Sequence, residues 1–261
     1  METFNMIIEN AFIEKVEILK EVKCGLRCET YLVKVKNKKY IFQIYIGDTR
    51  YQAKKKYNIL KKLNNKFIPK AIKVKENNEY SYLIIEYFEG QSLNYYRKTD
   101  TKFSLNDISS ELVAILGQVH NISNENKFGW IDDKFIKYNI RFIDYINSEY
   151  NRLSINLQNI DLEIKDSILN KAKEAIEVIK NKSDSINKSC LCWYDMNPSN
   201  ILIRKKENIY KLEGLIDPGG ARYGIPEWDI AFVKMQLCTN KEEFDNFLSE
   251  YQKTNSKMKA L

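Results

Sequence analysis

The sequence predicts an α+β chain with a small N-terminal lobe on an antiparallel sheet and a larger, mostly helical C-terminal lobe. Three observations carry this. The first 90 or so residues are dominated by short β-branched and aromatic runs. The remainder is dominated by stretches in which apolar residues recur with helical spacing. Between them, Glu89-Gly90-Gln91-Ser92-Leu93 interrupts the strand pattern. With only 9 Gly and 4 Pro in the chain, such a break marks a boundary. The lobes are therefore placed at residues 1–90 and 91–261.

In the first lobe, Tyr31 to Val35 alternates and Tyr40 to Ile46 (YIFQIYI) is β-branched and aromatic, with Asn37-Lys38-Lys39 as the hairpin turn between them. A short loop with one glycine, Lys23 to Arg27, precedes this pair. Arg50 to Leu63 reads as a basic helix, and Ala71 to Val74 and Tyr80 to Phe88 as two further strands. In the second lobe, Leu105 to Ile122 has Leu112, Ile115, Leu116 and Val119 on one helical face. Phe135 to Asn151 and Ile164 to Ile186 are helical in pattern. A strand pair follows, Ile201 to Arg204 and Tyr210 to Ile216, and Trp228 to Gln252 returns to helix. There is no internal repeat and no low-complexity stretch.

Composition narrows the class. With 44% of its 261 residues hydrophobic, the chain can build a core, which argues against disorder. No apolar run reaches the roughly 18 residues of a membrane span, and Met1 to Glu17 is too polar for a signal peptide. No membrane association is expected. Five cysteines are too few and too odd a number for a disulfide scaffold, which points to a reducing, cytoplasmic setting. The net charge is +7, and residues 1–100 carry 20 basic against 12 acidic side chains, so the whole excess lies there. That is either a solvated lysine-rich surface or a positive field over a polyanion such as a nucleotide phosphate tail. No nucleic-acid-binding motif accompanies it, so no nucleic-acid partner is expected.

The chemistry is concentrated at the second strand pair. WYDMNPSN (Trp193 to Asn200) enters it and LIDPGG (Leu215 to Gly220) leaves it. A hairpin brings its outer ends together, so Asp195, Asn200 and Asp217 should converge on one small volume. Two carboxylates and an amide are hard oxygen donors that suit Mg²⁺. Asn-Pro-Ser and Pro-Gly-Gly are turn sequences, so both acids sit on tight loops. The plainer alternative is that these are ordinary turn residues capping a hairpin.

Asp, four residues, Asn, a strand pair and then Asp-x-Gly resembles the catalytic and metal loops of protein-kinase-like enzymes. It is most similar to the aminoglycoside phosphotransferase and choline kinase family, whose catalytic loop reads roughly HGDxxxxN. Other landmarks agree in order: Gly25 in a strand–loop–strand, Ile85 to Leu93 as the link between lobes, Leu116-Gly117-Gln118-Val119-His120 followed by Phe128-Gly129, and Ile225 to Ala231 after the metal loop. The resemblance implies a bilobal protein-kinase-like fold and an ATP- and Mg²⁺-dependent transfer of phosphate to a small-molecule hydroxyl. Asp195 would orient the acceptor hydroxyl and take its proton. Asn200 and Asp217 would hold Mg²⁺. Backbone groups of Glu86 and Phe88 would bond adenine, the Gly25 loop would cover the nucleotide, and Asp229 would bond the backbone of the catalytic loop.

The departures are specific. Trp193 stands where the family has His, and Pro218 replaces an apolar residue after the metal Asp. Gln43 stands where the family carries a phosphate-binding Lys or Arg, and Lys56 about where its Glu partner is expected. A swap would let Lys56, or Lys34 on the preceding strand, supply the cation, with Gln43 hydrogen-bonded to it. The alternatives are a solvated Lys56 or an alignment displaced by a turn. The sole histidine, His120, lies on an apolar helix face and reads as a packed core residue. Cys24, Cys28, Cys190 and Cys192 could be imagined as a zinc set, and no P-loop sequence exists. For the acceptor, Asp144, Glu149, Glu227 and the Glu242-Glu243-Asp245 cluster are candidates for an aminoglycoside-type antibiotic. Tyr145, Tyr150, Trp193 and Trp228 are candidates for the aromatic cage of an amino alcohol. A kinase-fold binding or regulatory protein without turnover is the rival reading. A protein kinase fits less well, because no long activation segment separates Asp217 from Asp229.

Overall fold

A computed structural model describes residues 4–22, 28–125, 127–131, 141–158, 160, 163–183 and 186–255. The Gly25 loop and the start of the helix expected from Phe135 lie outside these residues.

The chain begins with α1 (Phe4–Ala11), then β1 (Val16–Glu21), β2 (Glu29–Val35), β3 (Lys38–Ile46), α2 (Tyr51–Lys62), β4 (Ala71–Glu76) and β5 (Tyr80–Glu86). The strands form one antiparallel sheet in the order β1-β2-β3-β5-β4. The β2–β3 turn is Lys36-Asn37, one residue earlier than expected, so Lys38 and Lys39 open the strand. Lys36 has φ +51°, the left-handed geometry that a two-residue hairpin demands.

Because side chains alternate along a strand, β3 divides its residues between two environments. Phe42 and Ile44 face a cluster with Ile7 and Ile8 of α1, while Tyr45 faces Ala53 and Ile59 of α2. The sheet is thus covered on both faces, and the small lobe holds two helices rather than the one expected. Residues before Val16 escape a periodicity reading because α1 is only 8 residues long. The edge strand β1 is mostly exposed, with two Glu and a Lys among its six residues.

The last strand of the five-stranded sheet ends at Glu86, just before residues 89–93. Gln91–Ser92 forms β6, which pairs with a strand of the second part of the chain, and α3 (Leu93–Thr99) follows directly, capped by the Ser92 side chain. A 3₁₀ turn at Leu105–Ile108 leads into α4 (Ser109–His120), so the single helix expected over 105–122 is two pieces. Then come β7 (Ser123–Glu125), β8 (Gly129–Trp130), α5 (Phe142–Gln158), α6 (Lys165–Ser183), β9 (Lys188–Cys192), β10 (Ile201–Lys206), β11 (Ile209–Leu215) and β12 (Arg222–Gly224). Three-stranded β11-β10-β6 and four-stranded β7-β9-β12-β8 sheets result. Of the small sheet's strands, β7, β8 and β12 are two or three residues long, too short for any pattern to register. The chain closes with α7 (Glu227–Phe232), a π-helical turn at Val233–Leu237 and α8 (Lys241–Thr254). One buried cluster runs from Tyr45 and Ala53 through Leu112, Ile115 and Trp193 to Ile201, Leu215 and Phe247. No described helix is long and apolar enough to cross a membrane.

Glu243 shows how the last helix is held. Its Oε1 accepts from the Ser104 hydroxyl at 2.8 Å and the Leu105 N–H at 2.9 Å, and its Oε2 from the Thr239 N–H at 2.8 Å and hydroxyl at 2.9 Å. Burial opposes its charge, but these four donors prevail and hold its pKa below the ordinary glutamate value. A depressed carboxyl contributes stability above its unfolded-state pKa and loses it as pH falls through the folded value. Glu243→Gln is expected to destabilise the protein by about 2 kcal/mol at pH 7. In urea melts, the gap between wild type and variant should narrow progressively below about pH 4.5. A gap constant down to pH 3 would exclude this role.

Candidate active site

The β10–β11 hairpin delivers the site. The Ile216 N–H donates to the Asn200 carbonyl at 2.9 Å, tying the strand that enters the hairpin to the one that leaves it. Asp217 comes next, with φ +61°, and its Oδ1 accepts from the Gly219 N–H at 3.2 Å. On the entering side, the Asn197 side chain caps the turn at Pro198–Asn200. The Asn200 amide donates to the Asp195 carbonyl at 3.3 Å. Asp195, Asn200 and Asp217 line one cleft of about 890 Å³, together with Gln43, Tyr45 and Lys56 from the small lobe.

Two glycines permit this approach. A Cβ on Gly219 would lie 3.0 Å from Asp217 Oδ1 and from Lys56 Cε, and one on Gly220 would lie 3.1 Å from Asp195 Cβ. Any other residue would push the carboxylates or the lysine aside.

The loop that carries Asp195 is pinned from behind. Asp229 is fully buried and accepts the backbone N–H groups of Trp193 and Tyr194, both at 2.7 Å. This is the contact expected of it. Its Oδ2 also meets His120 Nε2 at 3.0 Å, and His120 Nδ1 meets the Tyr251 hydroxyl at 2.6 Å. The sole histidine is thus a buried structural link between α4, α7 and α8. Tyr194, immediately before Asp195, has φ +69°, a costly conformation for a tyrosine that the two bonds to Asp229 sustain. Trp193, at the position where the resemblance implied His, is fully buried.

The electrostatics follow from burial and charge proximity. Burial raises the Asp195 pKa above the ordinary aspartate value, the nearby Asp217 charge adds to it, and hydrogen bonds from Asn200 and the Asn197 backbone oppose it. Lys56 is 7% exposed, and its Nζ lies 2.7 Å from Asp217 Oδ1. Burial disfavours its charge, yet Tyr45 and Asp217 outweigh burial and hold it protonated.

The swap between strand and helix is therefore partly as expected and partly different. Lys56 reaches the cleft, whereas Lys34 sits at the other end of the β2–β3 hairpin, opposite Lys39, half exposed and 3.9 Å from Glu17. Gln43 does not bond the lysine: its Oε1 accepts from the Tyr45 hydroxyl at 2.8 Å, and Tyr45 in turn bonds Lys56. Tyr45 carried no sequence signal beyond its place two residues from Gln43 on the same strand face. Lys55, also buried, donates to the Gly219 carbonyl at 2.9 Å. The helix read as basic thus inserts two lysines, one onto the backbone of the Asp217 loop and one onto the Asp217 carboxylate.

Glu86 and Phe88 lie at the end of the five-stranded sheet and do not line the cleft. The Glu86 N–H donates to the Lys70 carbonyl at 3.0 Å, and Phe88 packs where a Cβ on Gly214 would stand. Cys28 lies on the cleft wall, while Cys190 and Cys192 are buried with their sulfurs 3.8 Å apart. Cys24 lies outside the described residues, and those described do not assemble a four-thiolate set.

The acceptor candidates are largely corrected. Asp144 is engaged by Arg141 at 2.7 Å, Asp245 by Lys241, and Glu243 by the four donors above. Glu149 is bound by Arg152 at 2.6 Å and by the Trp130 indole at 3.3 Å. None of these acids, nor Glu227 or Glu242, lines the cleft. Tyr145, Tyr150, Trp193 and Trp228 do not line it either, because three of them pack inward. The aromatic residues that do are Tyr45, Trp130, Tyr194 and Phe232. Trp130 was hidden from sequence reading by its place in a two-residue strand.

A five-stranded antiparallel sheet set over a hairpin that presents two acids and an amide to one cleft is the protein-kinase-like fold. The model of the phosphotransferase enzyme family matches residues 19–261, and the chain belongs to that family. Among solved structures it is similar to the aminoglycoside phosphotransferase APH(4)-Ia in ternary complex with ADP and hygromycin B, with TM-score 0.68 and 13% identity over 98% of this chain and 83% of that one. It is also similar to APH(3'')-Id from Streptomyces rimosus ATCC10970, with TM-score 0.58 and 11% identity over 100% and 94% of the two chains. No curated protein matches it by sequence.

Proposed function

We propose that this chain is an ATP- and Mg²⁺-dependent phosphotransferase that moves the terminal phosphoryl group of the nucleotide to a hydroxyl of a small molecule. The observation that supports it is the convergence of Asp195, Asn200, Asp217 and Lys56 on one cleft. The donor set fits a hard divalent cation: carboxylate and amide oxygens, with glycines at 219 and 220 leaving room beside them. Asn200 and Asp217 would hold that cation. Bound there, it would neutralise charge on the phosphate oxygens.

The chain's own groups do the rest. Lys56 presents a fixed positive charge to the phosphates from α2, and the Tyr45–Gln43 pair holds it in place. Asp195 orients the acceptor hydroxyl and takes its proton on a carboxylate. Its raised pKa makes it a better base than a solvated aspartate. The sparse cysteines suit a cytoplasmic setting. Phosphoryl transfer asks chiefly for such positioning and charge compensation.

Calorimetric titration of AMP-PNP with and without Mg²⁺ tests the reading. Wild type should bind the nucleotide at least tenfold more tightly with Mg²⁺, and Asp217→Asn should lose most of that difference. Lys56→Met should keep the fold, by circular dichroism, and lose about a hundredfold in turnover. Nucleotide binding indifferent to both Mg²⁺ and Asp217→Asn would overturn the proposal. Mg²⁺-dependent binding without ADP release on any hydroxyl compound would favour the rival, a regulatory protein.

A further inference from the structure

The acceptor end of the cleft carries a feature that the reaction itself does not require. Arg222, on β12, is 2% exposed, and its guanidinium lies 3.6 Å from the centre of the Trp130 ring and 3.3 Å from that of Tyr194. It is fixed there by the Tyr145 hydroxyl at 2.9 Å, the Gly220 carbonyl at 3.4 Å and Glu149 at 3.5 Å. Two more cations approach Trp130: Lys55 Nζ at 5.0 Å and the Arg152 guanidinium at 6.0 Å from the ring centre. Both Trp130 and Tyr194 line the cleft beside Asp195, as does Phe232, whose ring is 4.8 Å from that of Tyr194.

An aromatic ring attracts a cation through the negative potential of its face. Here that potential is already spent on a buried guanidinium, and the net charge behind the rings is positive. Glu149, the acid nearest these rings, has both oxygens engaged by Trp130, Arg152 and Arg222. The guanidinium fills the space between the two rings, so an ammonium laid on the outer face of Trp130 or Tyr194 would meet like charge across the ring and, Asp195 apart, find no available carboxylate among the described residues there. A flat apolar face would meet two polarised aromatic surfaces and lose nothing.

Resting on the phosphotransferase reading, we infer that the acceptor is an uncharged hydroxyl compound with a flat apolar or aromatic face, and that this site discriminates against polyamines. In the transfer, the acceptor oxygen bonds to the terminal phosphorus of the nucleoside triphosphate as the bond to the diphosphate oxygen breaks. The hydroxyl proton goes to Asp195 and the diphosphate leaves. The repulsive element is built into the wall of the site, which is one way a site gains specificity.

A matched pair of probes tests this: phenyl β-glucoside and its 2-amino-2-deoxy counterpart, cationic at pH 7, with hygromycin B as a polycation. Each is titrated calorimetrically into the protein holding AMP-PNP and Mg²⁺, and ADP release from ATP is measured in parallel. The neutral glucoside should bind at least tenfold more tightly than either cation and be the better acceptor. Arg222→Met should narrow the preference to within about threefold. Should that variant not fold, Trp130→Leu serves, and should weaken the neutral probe tenfold while barely affecting the amino sugar. Equal or tighter binding of a cation, or no binding of the phenyl glucoside, overturns the inference and leaves the phosphotransferase reading standing if AMP-PNP still binds with Mg²⁺. Failure of AMP-PNP to bind removes both.

Discussion

Asp195→Asn is expected to lower ADP release by about a thousandfold while changing Mg²⁺-dependent AMP-PNP affinity by no more than a few fold. Asparagine keeps the size of the side chain but cannot take a proton, and a positioned base is worth roughly 10²–10⁴ in rate. On the proposed reading, nucleotide contacts would fall to Lys56, Asn200 and Asp217, which the substitution leaves in place. It also removes one of two neighbouring negative charges, so the raised pKa that Asp217 and burial impose on Asp195 disappears with it. In wild type, kcat/KM should fall on the acid side as pH drops through a value above that of an ordinary aspartate, because only the ionised carboxylate accepts the proton. The variant should lack that acid limb. Retention of a tenth or more of wild-type turnover would remove Asp195 from the role of base.

Asp229→Ala is expected to cost about 3–5 kcal/mol of stability and nearly all activity together. The carboxylate has no solvent contact and serves three partners: the backbone N–H groups of Trp193 and Tyr194, and His120. Removing it strands those donors in a dry interior, and such groups are expensive to leave unpaired. Tyr194 then loses the bond that sustains its positive φ, and the Asp195 that follows it loses its aim. The urea midpoint, followed by tryptophan fluorescence, should shift strongly for Asp229→Ala and hardly at all for Asp195→Asn. Two variants equally stable and equally inactive would mean that Asp229 does not act by holding the loop.

Much of this architecture was legible because it depends on local pattern. The runs YIFQIYI and YSYLIIEYF occupy adjacent, paired strands, Tyr40 against Glu86 through Ile46 against Tyr80, because alternating or continuous apolar residues can be satisfied in few other ways. The hairpin between Asn200 and Asp217 was readable for the same reason, and once it forms, its two loops must meet. The elements that escaped were short or lacked periodicity: α1, β1, β6, α3, β7, β8 and β12. Their stability comes from neighbours distant in sequence, as when Arg222 pairs with both Trp130 and Cys192.

By itself, then, the order of residues settled the kind of fold, the family and the cluster of two acids and an amide, since all three follow from spacing within contiguous segments. Which lysine faces the cluster, what holds it there and what lines the acceptor end were decided only in three dimensions. Lys55 and Lys56 are adjacent and chemically identical in sequence; helix phase against the sheet sends one to the Gly219 carbonyl and the other to the Asp217 carboxylate. Glu149, Arg222, Trp130 and Tyr194 come from four separate segments, and charge neutralisation among them is a property of distance, which falls off in space and takes no account of position along the chain.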